Sequence, residues 1–306
     1  MDLVEKIKNL NNYLKTKNFN KVIEGGRSIL KKIPNNDYVL NLIGMAFQGK
    51  FQHKRAIKFF EESLTQNPGN VAAMNNYANS LKALGKFEQS KDLYEKILNI
   101  DPMYLRAYNN YANLKTSYND YDGAIDLFKK AISLIKKNKN IPISQHLEFM
   151  FSLAVAYQGY NKVKESNEVI EEMLQINPLH TGAHKLKSSI LKYSKENKDS
   201  LDHLKKMEDL NNTTNLNDDE KIDLFFSLGK AYEDIKDYQK SYEKLKLAND
   251  SYREIIELNF NFESEKDFFN NIKEEFKNFD KSFESSYKEK KMIFIMGMPR
   301  SGTTLM

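Results

Sequence analysis

Residues 37–70 read DYVLNLIGMAFQGKFQHKRAIKFFEESLTQNPGN. Large apolar side chains fall at the fourth, seventh, eleventh and twenty-fourth positions of this stretch (Leu40, Ile43, Phe47, Phe60). Small residues hold the eighth and twentieth (Gly44, Ala56), Ser63 the twenty-seventh and Pro68 the thirty-second. The spacing predicts two amphipathic helices joined by a tight turn. Small residues let the two helices approach, and the large ones fill a seam to the neighbouring pair. Pro68 stops the second helix, because it lacks an N–H and clashes with the preceding turn.

The pattern recurs in register. Residues 71–104 supply Met74, Tyr77, Ala78, Leu81, Ser90, Tyr94, Ile97 and Pro102; residues 105–138 supply Tyr108, Tyr111, Ala112, Ala124, Phe128 and Ala131. A short insertion containing Pro142 precedes residues 147–180, with Met150, Leu153, Ala154, Tyr157, Ser166, Ile170, Met173 and Pro178. Residues 3–36 fit through Leu10, Tyr13, Val22, Gly26, Ile29 and Pro34. Residues 181–214 are weaker, with Lys187 at a normally buried position, and residues 222–255 recover with Phe225, Leu228, Gly229, Tyr232, Ser241, Leu245 and Ala248. The 34-residue period resembles the tetratricopeptide repeat (TPR). The resemblance implies an all-α superhelical solenoid of about seven helix-turn-helix repeats, in which no unit buries its apolar face alone. Composition agrees: 40% hydrophobic and 29% charged residues suit an elongated stack with much wet surface.

A different signal closes the chain. Ile293, Phe294 and Ile295 form a β-prone apolar run that enters Gly297-Met298-Pro299-Arg300-Ser301-Gly302-Thr303-Thr304. The glycines permit close backbone approach to a ligand. Backbone N–H groups from Ser301 onward would face an anion at a helix start, and Arg300 adds a planar donor fork. In the nucleotide-hydrolase phosphate loop a lysine follows the second glycine, where this chain has Thr303. The stretch instead resembles the 5′-phosphosulfate loop of sulfotransferases, most closely that of protein-tyrosine sulfotransferases and their bacterial relatives. That resemblance implies that Arg300, Ser301, Gly302, Thr303 and Thr304 bind 3′-phosphoadenosine 5′-phosphosulfate, the sulfuryl donor. It implies the first strand and P-loop-like turn of an α/β sulfotransferase domain. The expected organisation is a TPR solenoid over 1–256, a helical cap or linker over 257–291 and the edge of the catalytic domain over 292–306. The resemblance spans fifteen of 306 residues. The chain is expected to be the front part of a repeat–sulfotransferase fusion, inactive by itself, with no catalytic residue in this fragment. The alternative is a protein–protein interaction scaffold without catalysis.

In tetratricopeptide arrays the first helix of each unit lines a concave groove. Asn75, Asn76 and Asn79, then Asn109, Asn110 and Asn113, repeat there in consecutive units. Amides both donate and accept, so a row of them can pair with the backbone of an extended protein or peptide partner without reading its sequence. Asn76, Asn79, Asn110 and Asn113 are the expected peptide-binding residues, although asparagine is frequent throughout the chain. His180 and His184, four apart, lack further ligands at metal spacing, and no metal is expected. His184 is read as filling a seam position. Phe262, Phe268, Phe269, Ile272, Phe276, Phe279 and Phe283 lie at helical spacing and predict a capping helix, or else an acceptor surface. A net charge of +5, from 47 basic and 42 acidic residues of interspersed sign, excludes a nucleic-acid stripe. No apolar run reaches the length of a membrane span, so the expected location is cytoplasmic.

Overall fold

The computed structural model describes residues 3–138, 140–213 and 215–256. These form fourteen α-helices in seven consecutive pairs: α1 (Leu3–Lys15) and α2 (Phe19–Leu30), α3 (Asp37–Gly49) and α4 (His53–Gln66), α5 (Val71–Ala83) and α6 (Phe87–Ile100), α7 (Leu105–Ser117) and α8 (Tyr121–Lys137), α9 (Ile143–Gly159) and α10 (Val163–Ile176), α11 (Thr181–Ile190) and α12 (Lys198–Thr213), α13 (Asp218–Asp234) and α14 (Tyr238–Ile256). No strand occurs among the described residues. The expected cap, from Phe262 to Phe283, lies outside them. So do the apolar run 293–295 and the loop residues Arg300, Ser301, Gly302, Thr303 and Thr304.

Each unit is closed by contacts that the repeat dictates. A Cβ on Gly44 would sit 2.4 Å from the Phe60 ring, so in this unit the ring at position twenty-four packs directly on the glycine backbone at position eight. In units three and five alanine stands at position eight and a serine at twenty bonds its carbonyl: Ser90 Oγ donates to Ala78 O (2.8 Å) and Ser166 Oγ to Ala154 O (3.0 Å). The last residue of a unit often caps the next first helix. Asn36 accepts from the Val39 N–H, Asn70 from Ala73 and His180 Nδ1 from Ala183.

Position fifteen follows the first helix and is left-handed in six units: Lys17, Phe51, Gly85, Asn119, Asn161 and Lys236 have φ between 56° and 73°. Only Gly85 adopts this without a Cβ penalty, and asparagine tolerates it better than lysine or phenylalanine.

Three departures from strict repetition matter. The insertion around Pro142 is absorbed by lengthening α8 and α9 to 17 residues each, so α9 starts at Ile143 rather than Leu147. Pro142 occupies the N-cap, where a missing N–H costs nothing. Likewise α13 starts at Asp218 rather than Ile222, because Asn217 and Glu220 form a capping box one turn earlier. Third, α11 has only ten residues and packs on α13 as closely as paired helices do elsewhere. Ser188 Oγ donates to Ser227 O across that contact. The non-helical chain after α11 is tied down by α13: Lys230 Nζ reaches Leu191 O (2.7 Å), and Tyr193 N–H donates to Asp234. Lys187 is kept partly accessible and pairs with Glu171 of α10 at 2.6 Å.

The turn chemistry gives a direct test. Gly85→Ala should lose about 1 kcal/mol, although a Cβ there meets nothing within 4 Å. Lys236→Gly should gain up to about 1 kcal/mol by releasing the same strain. Urea midpoints of the two variants should move in opposite directions; parallel movement would refute a backbone origin.

Candidate functional site

The first helices of units two to five lie side by side, so their fifth, sixth and ninth positions form one continuous surface. Position five is Asn41, Asn75 and Asn109, then Phe151. Position six is Leu42, Asn76 and Asn110, then Ser152, and position nine is Met45, Asn79 and Asn113, then Val155.

The expected ladder residues are present on this surface, but they do not all remain open. Asn76 Nδ2 donates to Asn41 Oδ1 (3.0 Å), and Asn110 Nδ2 donates to Asn75 Oδ1 (2.9 Å). Each sixth-position amide therefore clasps the buried fifth-position amide of the preceding unit. Gln48 adds a second brace, donating to Asn76 O and Ser80 Oγ at 3.1 Å, and Gln158 reaches Leu186 O and Ser189 Oγ in the same way. Asn79 Oδ1 accepts from Tyr94 OH (2.6 Å). After these bonds Asn76 and Asn110 keep an acceptor oxygen and one N–H each, and Asn79 keeps its amide donors. Asn113 is exposed, and neither it nor Asn109 has a side-chain hydrogen-bond partner among the described residues. Identical motifs thus differ in availability: Asn109 meets no position-six amide in unit five, and Asn113 lacks the hydroxyl that Asn79 receives, because Phe128 stands where unit three has Tyr94.

Two cavities open where the amides give way to Phe151. One, about 370 Å³, lies between α7 and α9 and is lined by Asn113, Thr116, Tyr121, Phe151 and Val155 among others. The second, about 420 Å³, lies between α9, α11 and α13, with Glu148, Phe151, His180, Asp219, Glu220 and Asp223 in its wall. His180 stacks on Phe151 at 6.4 Å.

A separate polar cluster occupies the junction of α11 and α12. His184 does not share a ligand set with His180, which caps α11. It faces His203, a partner that spacing along one helix could not reveal because the two lie on different helices. His184 Nε2 is 2.9 Å from Pro178 O, which only accepts, so that nitrogen carries a proton. His184 Nδ1 then accepts from His203 Nε2 at 3.0 Å, and His203 Nδ1 accepts from Tyr193 OH at 2.6 Å. Both imidazoles are neutral in this single consistent arrangement. Burial pushes His203 down to about 3 and lowers His184, with Lys187 and Lys206 adding to the effect. Beside them is a cavity of about 430 Å³, lined by Leu174, Leu179, Lys187, Lys206 and Leu210 among others. Among the described residues no group of three or more His, Cys, Asp or Glu is placed to hold a metal ion, and no helix is long and apolar enough to cross a membrane.

The histidine pair predicts how stability depends on pH. Below the ordinary histidine value of 6.5 the unfolded chain binds protons that the folded chain refuses. Stability should therefore be full above that pH and fall as the pH drops toward 3, by up to about 1.4 kcal/mol per unit through His203, with His184 acting in the same direction. In His203→Gln the urea midpoint should vary less steeply from pH 7 to pH 5. An unchanged slope would remove the pair as its source.

Comparison with known proteins bears on the architecture. A tetratricopeptide-repeat family profile matches residues 49–116 and another matches residues 105–138. No curated protein matches the chain by sequence. A tetratricopeptide repeat protein from Parabacteroides merdae superposes with a TM-score of 0.56 at 15% identity, over 86% of this chain and 95% of its own. The C-terminal part of a TPR repeat-containing protein from Cytophaga hutchinsonii gives 0.53 at 14% identity, over 83% and 96%. At such identities the likeness concerns the fold alone, and the matched profiles do not reach residues 292–306. This chain carries tetratricopeptide repeats, and its described residues form an all-helical solenoid of seven helix pairs.

Proposed function

We propose that the chain is a protein-binding scaffold whose first-helix surface holds an extended segment of a partner protein. One observation carries this reading. The amides of Asn76, Asn79, Asn110 and Asn113 line successive units and retain unengaged donors or acceptors after the bonds that brace the stack. Successive peptide groups of an extended strand alternate donor and acceptor, so such a row engages main chain with little regard to sequence. Selection of displayed random nonapeptides on this chain tests the reading. Selected peptides should bind the parent chain and bind Asn76→Ala/Asn113→Ala several-fold more weakly, with unchanged helical circular dichroism. No enrichment over bare support would overturn it.

A second reading rests on the sequence of residues 293–304. It makes the repeats the acceptor-holding part of a sulfotransferase. Arg300, Ser301, Gly302, Thr303 and Thr304 would bind 3′-phosphoadenosine 5′-phosphosulfate, whose sulfuryl group passes to a hydroxyl, such as a protein tyrosine held by the groove. The support is the resemblance of the loop, with its cation at Arg300 and Thr303 in the hydrolase lysine position. Calorimetric titration of the full gene product with adenosine 3′,5′-bisphosphate and with ATP decides between nucleotides. Binding of the bisphosphate that weakens at least tenfold in Arg300→Ala is expected. Binding of ATP alone, or of neither, would reject the sulfotransferase and leave the scaffold.

A further inference from the structure

The row of amides is interrupted at one place, and the surface changes character there. In units three and four, positions five, six and nine are Asn-Asn-Asn; in unit five they are Phe151, Ser152 and Val155. Ser152 Oγ turns back to Glu148 O of its own helix, and it offers Asn109 no amide. The clasp that joins Asn41 to Asn76 and Asn75 to Asn110 therefore has no successor between units four and five. Asn109 is left with an unengaged side chain, and so is Asn113, which lines the Phe151 cavity and has Phe128 where Tyr94 reaches Asn79.

The ring of Phe151 separates the two cavities, and Val155 beside it is 43% exposed. Each cavity has the size of a small ligand site, roughly 300–1,000 Å³. An apolar side chain of a bound segment would fill the first of them between Phe151, Val155 and Tyr121. The second cavity is acidic. Of its four carboxylates, Glu148, Asp219, Glu220 and Asp223, only Asp223 has a cation in hydrogen-bond range among the described residues, Lys185 at 2.6 Å. Four negative charges against one leave a net of three, and burial lowers the proton affinity of His180 in the same wall against the pull of Asp223 and Glu220. A lysine or arginine of the partner complements that wall.

We infer that Phe151 is the specificity anchor of the groove, and that the preferred partner segment carries a large apolar side chain with a lysine or arginine within the next few residues. The inference rests on the groove reading above and adds what that reading lacks, a choice of sequence. Main-chain pairing to Asn110 and Asn113 fixes the segment. The apolar side chain supplies most of the discrimination, because burying it outweighs half-solvated ion pairs. The carboxylates set direction along the groove.

Composition of the nonapeptides selected on this chain is the test. Phe, Leu, Met or Tyr followed within three residues by Lys or Arg should be enriched, and a synthetic peptide of that pattern should bind. Its affinity should fall at least tenfold in Phe151→Ser and, independently of any effect on folding, in Val155→Trp, which fills the cavity. Replacing the peptide's apolar residue with serine should cost the parent chain a similar factor and cost Phe151→Ser little more. Enriched peptides without that pattern, or equal binding by both variants, would sink the anchor and leave the groove reading standing. Failure to enrich any peptide would sink both.

Discussion

Position twenty-four carries Phe60, Tyr94, Phe128 and Ile170 in four consecutive units, and each of these side chains is at most 1% exposed. None of them is buried by its own helix pair alone. Phe128 belongs to a cluster that takes Leu105, Tyr108 and Ala112 from α7 and Phe149, Leu153 and Tyr157 from the following unit. Phe60 sits in a cluster reaching back to Leu10 and Val22 of the first unit. Burial of this kind favours folding by roughly 1.5–3 kcal/mol per large side chain, but only while the neighbour is in place. The stack is consequently one continuous seam, and everything polar on the molecule is arranged around it.

Apolar stacking fixes how closely units pack but is tolerant of sliding. Directional bonds supply the register. Tyr77 OH donates to Glu61 (2.6 Å) and Tyr111 OH to Glu95 (2.7 Å), in each case from position seven to position twenty-five of the preceding unit. Burial, with the Glu61 carboxylate beside it, raises Tyr77 to about 12, so the phenol remains a donor at any physiological pH. The Asn76 and Asn110 clasps repeat the same logic one residue earlier on the first helix, again reaching the preceding unit. Each such bond is worth only about 1 kcal/mol net, yet a shifted register would break several together.

The repeat could be read from residues 37–70 because every signal in it is local: apolar spacing, small residues at eight and twenty, a proline at the end. All seven pairs follow from that pattern. What escaped it depends on backbone detail that residue type does not announce and on contacts outside the repeat pattern. Lengthening of α9 by one turn turns on Pro142 being harmless at an N-cap. The left-handed residue at position fifteen is invisible when Lys17, Phe51 or Lys236 fills it, since none of them advertises positive φ as Gly85 does. The weak sixth unit was legible through Lys187, but the close contact of α11 with α13 and the joining of His184 to His203 and Tyr193 were not. The asparagine positions were visible, whereas their inequality was not: Asn79 and Asn113 share position nine and differ in that Tyr94 engages the first while Phe128 cannot engage the second.

That inequality makes one junction of the stack unlike the others. In a strictly periodic stack the amide at position six would find its partner at position five in every unit, and each unit would present the same remaining acceptor and N–H. Such a row could hold main chain but would not distinguish one unit from the next. Here the alternation fails once the fifth unit substitutes Phe151, Ser152 and Val155. At that same junction the lengthened α8 and α9 interrupt the 34-residue register. Asn109 and Asn113 retain their hydrogen-bonding groups, and a cavity lined by Asn113 opens beside the Phe151 ring. Repetition builds the rigid support, and the break in repetition leaves chemistry on it.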